Sequence, residues 1–199
     1  IHYHTLGEEG QADQLIFRQE NNPTAMYAIA MDQERKQAIV QVYQGRSDQN
    51  DVYIIDQPSP TAIRSLAQNS QVAMNYIGSQ GDTYYFYSNQ AAPNGKVIAI
   101  DSRNPAQQKT IIEEDSYVLA GGSSAGGNGM NFIGNTFVLL YREGTQQEIR
   151  LHDSNGKHLK SIPLETGWIG SGLQGVSDGE EAWFSLNTFL DPSTVFRLE

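Results

Sequence analysis

The 199-residue chain carries 13 Lys and Arg residues against 23 Asp and Glu residues, a formal net charge of −10. This acidic balance without a basic cluster argues against a nucleic-acid partner, because binding to a polyanion depends on neutralising phosphates. The absence of cysteine excludes disulfides, thiolate metal sites and a cysteine nucleophile. The sequence contains no run of about 18 apolar residues, so no membrane-spanning helix is predicted.

Short strands separated by turn residues are predicted along the whole chain. The predicted strands and strand pairs lie, in chain order, within residues 2–6, 14–19, 24–32, 36–45, 52–56, 57–68, 71–89, 96–101, 109–122, 128–144, 148–153, 156–164, 172–189 and 194–199. Apolar residues never keep a 3.6-residue period for a dozen positions, so helix is minor. Turn residues at intervals of about 8–12 positions predict an all-β fold.

One unit of the sequence, residues 84–101, recurs along the chain. It combines the aromatic strand Tyr84–Tyr87, a loop with Asn94-Gly95 and a second strand that ends on Asp101. Asn94-Gly95 predicts a tight hairpin turn, because both residues tolerate a positive φ. Related units end at Asp56, Asp153 and Glu199, so terminal acids recur roughly every 45–50 residues, a period typical of propeller blades.

The repeat predicts one domain over residues 1–199. We expect a partial β-propeller of about four consecutive four-stranded blades, with repeats that end near Asp56, Asp101, Asp153 and Glu199. The chain begins on a strand-like stretch without an initiator Met or a visible signal peptide, so we expect it to be part of a longer protein. The blades would then form an open arc. Cytoplasm and periplasm are not distinguished by the sequence.

The final 15 residues, 185–199, resemble the end of the β-propeller domain of the prolyl oligopeptidase family of serine peptidases. The family's Ser/Thr-Phe pair, proline, aromatic residue and terminal acid correspond here to Thr188, Phe189, Pro192, Phe196 and Glu199. Residues 44–56, 86–101 and 139–164 are similar to further strand–loop–strand units of that family. The resemblance runs in register over nearly all of the chain. The related oligopeptidase B group is the alternative within the family.

The resemblance implies a seven-bladed propeller that caps an α/β-hydrolase domain with a Ser/Asp/His triad. In that family the propeller restricts access, so short peptides are cleaved after proline. This chain would supply about four consecutive blades, and the catalytic hydrolase domain would be absent from it. Its implied partners are its own hydrolase domain and short peptide substrates, with no nucleic acid and no membrane. The chain alone is not expected to be an enzyme, whereas the parent protein is expected to be a prolyl endopeptidase.

A glycine-rich stretch matches the G-x-S-x-G pattern of a hydrolase nucleophile at residues 122–126. Ser123 or Ser124 would need partners such as His152 or His158 and Asp178. The stretch is too rich in glycine to begin a helix, a strand follows it, and the order Ser-His-Asp is not that of a hydrolase. We therefore interpret it as a flexible loop between strands, because so short a pattern often occurs by chance.

Four further groups carry chemically active side chains. They are His2 and His4 with Glu8, Glu9 and Asp13; the loop Asp48–Asp51; the acidic runs 113–115 and 180–181; and the aromatic run Tyr84–Tyr87. None has the ligand spacing of a zinc or calcium site, and the acidic runs are typical of a solvated loop. Alternation along a strand sends the aromatic side chains to both faces of a sheet, which favours packing between blades. We assign no catalytic, cofactor-binding or metal-binding residue.

Two other classes of function stay open. A free-standing propeller could act as a scaffold for protein partners, which would require complete blades and a closed ring. A self-contained hydrolase that uses Ser123 or Ser124 would be labelled by a fluorophosphonate probe. An open arc also leaves strand edges and apolar blade faces uncovered, so self-association of the chain is expected.

Overall fold

The computed structural model describes residues 1–7, 9–10, 13–20, 22–32, 34–45, 47–57, 63–68, 70–120, 129–164, 168–169, 172–175, 178–188, 190 and 192–199. Strands joined by turns and loops make up these ranges, which confirms the all-β prediction. Within the same ranges, no helix is long and apolar enough to cross a bilayer.

The strands of the described residues form five antiparallel sheets that follow one another along the chain. Sheet 1 contains β1 (His2–Tyr3) and β2 (Gln14–Leu15). Sheet 2 contains β3 (Ala25–Asp32), β4 (Gln37–Gln44), β5 (Asn50–Asp56) and β6 (Ile63–Ala67). Sheet 3 contains β7 (Met74–Gln80), β8 (Thr83–Ser88), β9 (Lys96–Asp101) and β10 (Gln108–Ile112). Sheet 4 contains β11 (Val118–Leu119), β12 (Met130–Ile133), β13 (Thr136–Glu143), β14 (Gln146–Asp153) and β15 (His158–Leu164), and sheet 5 contains β16 (Trp168–Ile169), β17 (Ala182–Asn187) and β18 (Thr194–Leu198).

Sheet 4 also has four strand positions, because β11 and β12 share one edge of β13. The amide of Ala120 donates to the carbonyl of Leu140, and the amide of Leu140 donates to the carbonyl of Gly129. The predicted single strand at 109–122 is therefore wrong. The structure divides it into β10 in sheet 3 and β11 in sheet 4, because the Asp115 carboxylate accepts a hydrogen bond from the Tyr117 amide (2.9 Å) and turns the chain between the two sheets.

Asp56, Asp101 and Asp153 each end the third strand of their sheet, and a fourth strand follows each of them, whereas Glu199 comes directly after β18. Two of these carboxylates open the turn to that strand. Asp101 accepts a hydrogen bond from the Arg103 amide, and Asp153 accepts hydrogen bonds from the amides of Asn155 and Lys157, all at 2.9 Å. The repeat unit inferred from the sequence therefore ends one strand before the sheet does.

The core consists of apolar clusters between successive sheets, so each sheet packs face to face on the next as a propeller blade does. The aromatic run of β8 shows how one strand contributes to this packing on both of its faces. Tyr84 and Phe86 are buried against sheet 2, whereas Tyr85 and Tyr87 are buried against sheet 4. The interpretation of these four side chains as packing between blades is confirmed.

The loop between β8 and β9 is longer than the predicted hairpin turn, since it runs from Asn89 to Gly95. The predicted hairpin of β8 and β9 is confirmed, but the residues with positive φ are Ala91 and Gly95, so the positive φ expected at Asn94 is not found. Gly95 is required there because a Cβ atom would lie 2.2 Å from the ring of Tyr87. The Asn94 side chain instead donates to the carbonyl of Asp115 (2.9 Å) and so ties sheet 3 to sheet 4.

Candidate functional site: the inner edge of the sheets

Neighbouring sheets come closest along one side of the molecule, which we call the inner edge and which consists of β3, β7 and β12. Strand β7 lies against β12 on one side and against β3, β4 and β5 on the other. Gly78 permits this approach, because a Cβ atom there would lie 2.5 Å from the Cβ atom of Phe132. The register of β7 against β8 also shifts next to Gly78. The first strands of successive sheets therefore converge, as they do around a propeller axis.

A cleft of about 480 Å³ lies at the inner edge, between β3, β7, β12 and the chain that follows β16. Its apolar lining includes Met31, Ile77 and Phe132, and its carboxylates are those of Asp32, Glu34 and Asp178. None of the described residues that line it is Lys or Arg. The cleft thus combines apolar surface with negative charge.

One polar cluster, Asp32, Arg35, Tyr76 and Ser79, joins sheets 2 and 3 at this cleft. The Ser79 hydroxyl donates to the Asp32 carboxylate (2.5 Å), and the Arg35 amide donates to the same carboxylate (3.0 Å). The Arg35 guanidinium forms an ion pair with Asp32 and also hydrogen-bonds the Ser79 hydroxyl and the Gly81 carbonyl. The Tyr76 hydroxyl lies 2.8 Å from that of Ser79.

The electrostatics of this cluster favour an ionised carboxylate. Burial by itself would raise the pKa of Asp32, but hydrogen bonds from Ser79 and Arg35 and the charge of Arg35 outweigh it and hold the pKa below 3.8. Burial raises the pKa of Tyr76 to about 12, so its hydroxyl stays protonated. Lowering the pKa of a carboxylate makes it a weaker general base for the Ser79 hydroxyl. The cluster therefore fastens two sheets and does not activate a nucleophile.

Asn50 forms a second link between sheets 2 and 3 that the sequence did not reveal. Its side-chain amide donates to the Met74 carbonyl and accepts from the Met74 amide, both at 2.8 Å, and only 1% of Asn50 is exposed. The neighbouring Asp51 accepts a hydrogen bond from the Ser70 amide (3.1 Å). The stretch 48–51 is thus partly strand, because Asn50 and Asp51 begin β5 and are not confined to the predicted turn.

Among the described residues considered for a hydrolase triad, His152 and His158 are neighbours, but Asp178 lies elsewhere. Ser123 and Ser124 lie outside the described residues. His152 is buried in β14 and His158 is exposed in β15, on the side of sheet 4 away from the inner edge. Asp178 lines the cleft at the inner edge instead.

Several of the other candidate residues have partners of their own, namely His4, Asp13, Glu114, Asp115 and Glu181. His2 is exposed in β1, the His4 ring lies 2.6 Å from the Asp13 carboxylate, and Glu8 is not among the described residues. Within the described ranges, no three side chains of His, Asp or Glu gather as metal ligands would. Glu114 accepts a hydrogen bond from the Asn94 amide, Asp115 pairs with Arg150, and Glu181 pairs with Arg197.

Comparison with known proteins supplies the wider context for this geometry. The protein-family model described as the prolyl oligopeptidase N-terminal β-propeller domain matches residues 1–199. The prolyl endopeptidase of Elizabethkingia meningoseptica is 23% identical over 199 residues, 99% of this chain and 27% of that protein. The prolyl endopeptidase of Dictyostelium discoideum is 22% identical, over 100% of this chain and 28% of that protein. The solved structure of prolyl oligopeptidase B from Galerina marginata has a TM-score of 0.84 at 21% identity, over 98% of this chain and 28% of that one. This chain thus spans little more than a quarter of the length of these relatives.

Proposed function

Because the chain belongs to the prolyl oligopeptidase family, within its N-terminal β-propeller domain, we propose that it is the non-catalytic, access-restricting part of a prolyl endopeptidase-type serine peptidase. The match of the family to all 199 residues carries this proposal. Hydrolysis of short peptides after proline would belong to an α/β-hydrolase domain of the parent protein. One similar solved structure comes from work on two prolyl endopeptidases and on the role of inter-domain dynamics in catalysis and specificity.

The inner edge offers a physical basis for restricting access by size. A folded domain of about 100 residues has a radius of gyration near 13 Å. A cleft of about 480 Å³ between converging strands could take a few extended residues but no such domain. The links formed by Asp32 and Asn50 hold sheets 2 and 3 together beside this cleft and so oppose its widening.

The proposal predicts that cleavage depends steeply on the size of the substrate. In the parent protein, kcat/KM is expected to fall at least about tenfold between a proline-containing peptide of about ten residues and a folded domain with an exposed proline loop. The same domain after denaturation is the control, because it keeps the amino-acid sequence of the substrate and loses only its folded structure. Equal kcat/KM for the peptide and the folded domain would contradict an access-restricting role.

We also propose that the isolated 199-residue chain self-associates. Strand β3 of sheet 2 exposes Ile29 and Met31, and sheet 5 exposes Trp183 and Val195. Exposed apolar side chains that lie close together on a surface favour association. Light scattering is expected to give a mass that rises with concentration, and Ile29→Lys with Met31→Lys is expected to reduce it. A monomer at every concentration would contradict the proposal.

A further inference from the structure

We propose that His152 and His158 form a binding site for one divalent transition-metal ion on sheet 4. The two residues lie directly opposite each other in β14 and β15. Their ring centroids are 5.4 Å apart, and their planes are inclined by 82°. Cross-strand side chains on one face of a sheet are close neighbours, so both imidazoles are near enough to share an ion.

The hydrogen bonds of the two rings leave one nitrogen of each for a metal. The Nδ1 atom of His152 lies 3.1 Å from the Gly156 carbonyl oxygen, which can only accept, so this nitrogen carries the proton. The Nε2 atom of His152 then has the lone pair, and it is buried without a hydrogen-bond partner. The Nε2 atom of His158 lies 2.9 Å from the Ser161 hydroxyl, which can accept its proton and leave Nδ1 for coordination. Metal-binding histidines are commonly oriented by such oxygen partners.

The separation of the rings fits a shared ion. Bonds from Zn²⁺ to imidazole nitrogen are about 2.0–2.1 Å long, so two imidazoles on one tetrahedral ion place their centroids roughly 5 Å apart. The observed 5.4 Å is close to that value. His158 is exposed, so an ion would approach the pair from the solvent side of that ring.

The surrounding charges leave the pair available to a cation. Arg150, two residues earlier on the same face of β14, is paired with Glu148 and with Asp115. On the side of sheet 3, the backbone carbonyl of Ile111 packs on Gly156. The Asp153 carboxylate accepts hydrogen bonds from the amides of Asn155 and Lys157 in the turn that follows it.

The ligand chemistry predicts the class of ion. Imidazole nitrogen suits Zn²⁺, Cu²⁺ and Ni²⁺ far better than the hard ions Mg²⁺ and Ca²⁺. Affinity should rise from Co²⁺ through Ni²⁺ to Cu²⁺.

Isothermal titration of the 199-residue chain with ZnCl₂, NiCl₂, CuCl₂ and MgCl₂ tests this site. We expect one transition-metal ion per chain, a raised thermal midpoint with Zn²⁺, and no binding of Mg²⁺. His158→Ala is expected to weaken Zn²⁺ binding at least about tenfold, because it removes one of two ligands. The matched control replaces the other two histidines of the chain, His2→Ala with His4→Ala, and should leave the affinity unchanged. The proposal is overturned if His158→Ala binds as tightly as the wild type, or if binding disappears in the control.

Discussion

Replacement of Phe137 by alanine is expected to lower the free energy of unfolding by about 3–5 kcal/mol. Phe137 is 0% exposed in the cluster between sheets 3 and 4. Its ring centroid lies 4.9 Å from that of Tyr85 across the sheet boundary and 4.8 Å from that of Phe132. Truncation would leave a cavity among aromatic rings that β12, β13 and β8 hold in place, so the neighbours cannot collapse into it.

Urea unfolding of the 199-residue chain measures this effect. Phe196→Ala is the matched control, because Phe196 stacks on Phe184 but is 41% exposed. Its expected loss is about 1 kcal/mol or less, since exposed side chains contribute little. Equal losses for the two variants would contradict the packing of sheet 3 on sheet 4.

Replacement of Asp32 by alanine is expected to cost about 3 kcal/mol of stability. The Asp32 side chain is 4% exposed, and its removal leaves the largely buried Arg35 guanidinium without its anion. The Ser79 hydroxyl and the Arg35 amide lose their acceptor in the same step. Glu34→Ala is the control, since this exposed neighbour is expected to change stability by less than about 0.5 kcal/mol.

The pH dependence of the same variant provides a second readout. The pKa of Asp32 is lower in the folded chain than the ordinary 3.8, so folding favours its ionised form. The stability that Asp32 contributes is therefore present above about pH 4 and is lost as the pH falls through the lower, folded pKa. The difference between wild type and Asp32→Ala should shrink between pH 7 and pH 2. A difference that stays constant over this range would contradict the role given to the carboxylate.

The fold could be predicted from the sequence wherever buried side chains recur at regular spacing along the chain. In β8 each of the four aromatic side chains meets a neighbouring sheet, so the aromatic run marks a buried strand. The fourth strands are harder to recognise. Most of β15 is exposed at the outer edge, and little apolar alternation is needed there. This is why the terminal acids predicted the repeat but not its offset from the sheets.

The candidate site depends on register between strands, which no local pattern encodes. Asp32 and Ser79 meet across two sheets although 47 residues separate them. His152 and His158 are opposite each other only because the register of β14 against β15 shifts after Leu151. Asn50 looked like a turn residue, since asparagine is common in turns, and only the position of β7 makes it a link between sheets.

We propose that the inner edge limits which substrates reach the active site of the parent protein. The most direct measurement compares Glu34→Trp, at the cleft, with Lys109→Trp, on the exposed outer strand β10. Each variant of the parent protein is assayed with a chromogenic proline dipeptide and with a peptide of about 30 residues. We expect kcat/KM of Glu34→Trp to fall at least about tenfold for the long peptide alone, and Lys109→Trp to match the wild type on both substrates. Unchanged cleavage of the long peptide by a folded Glu34→Trp variant would contradict the claim.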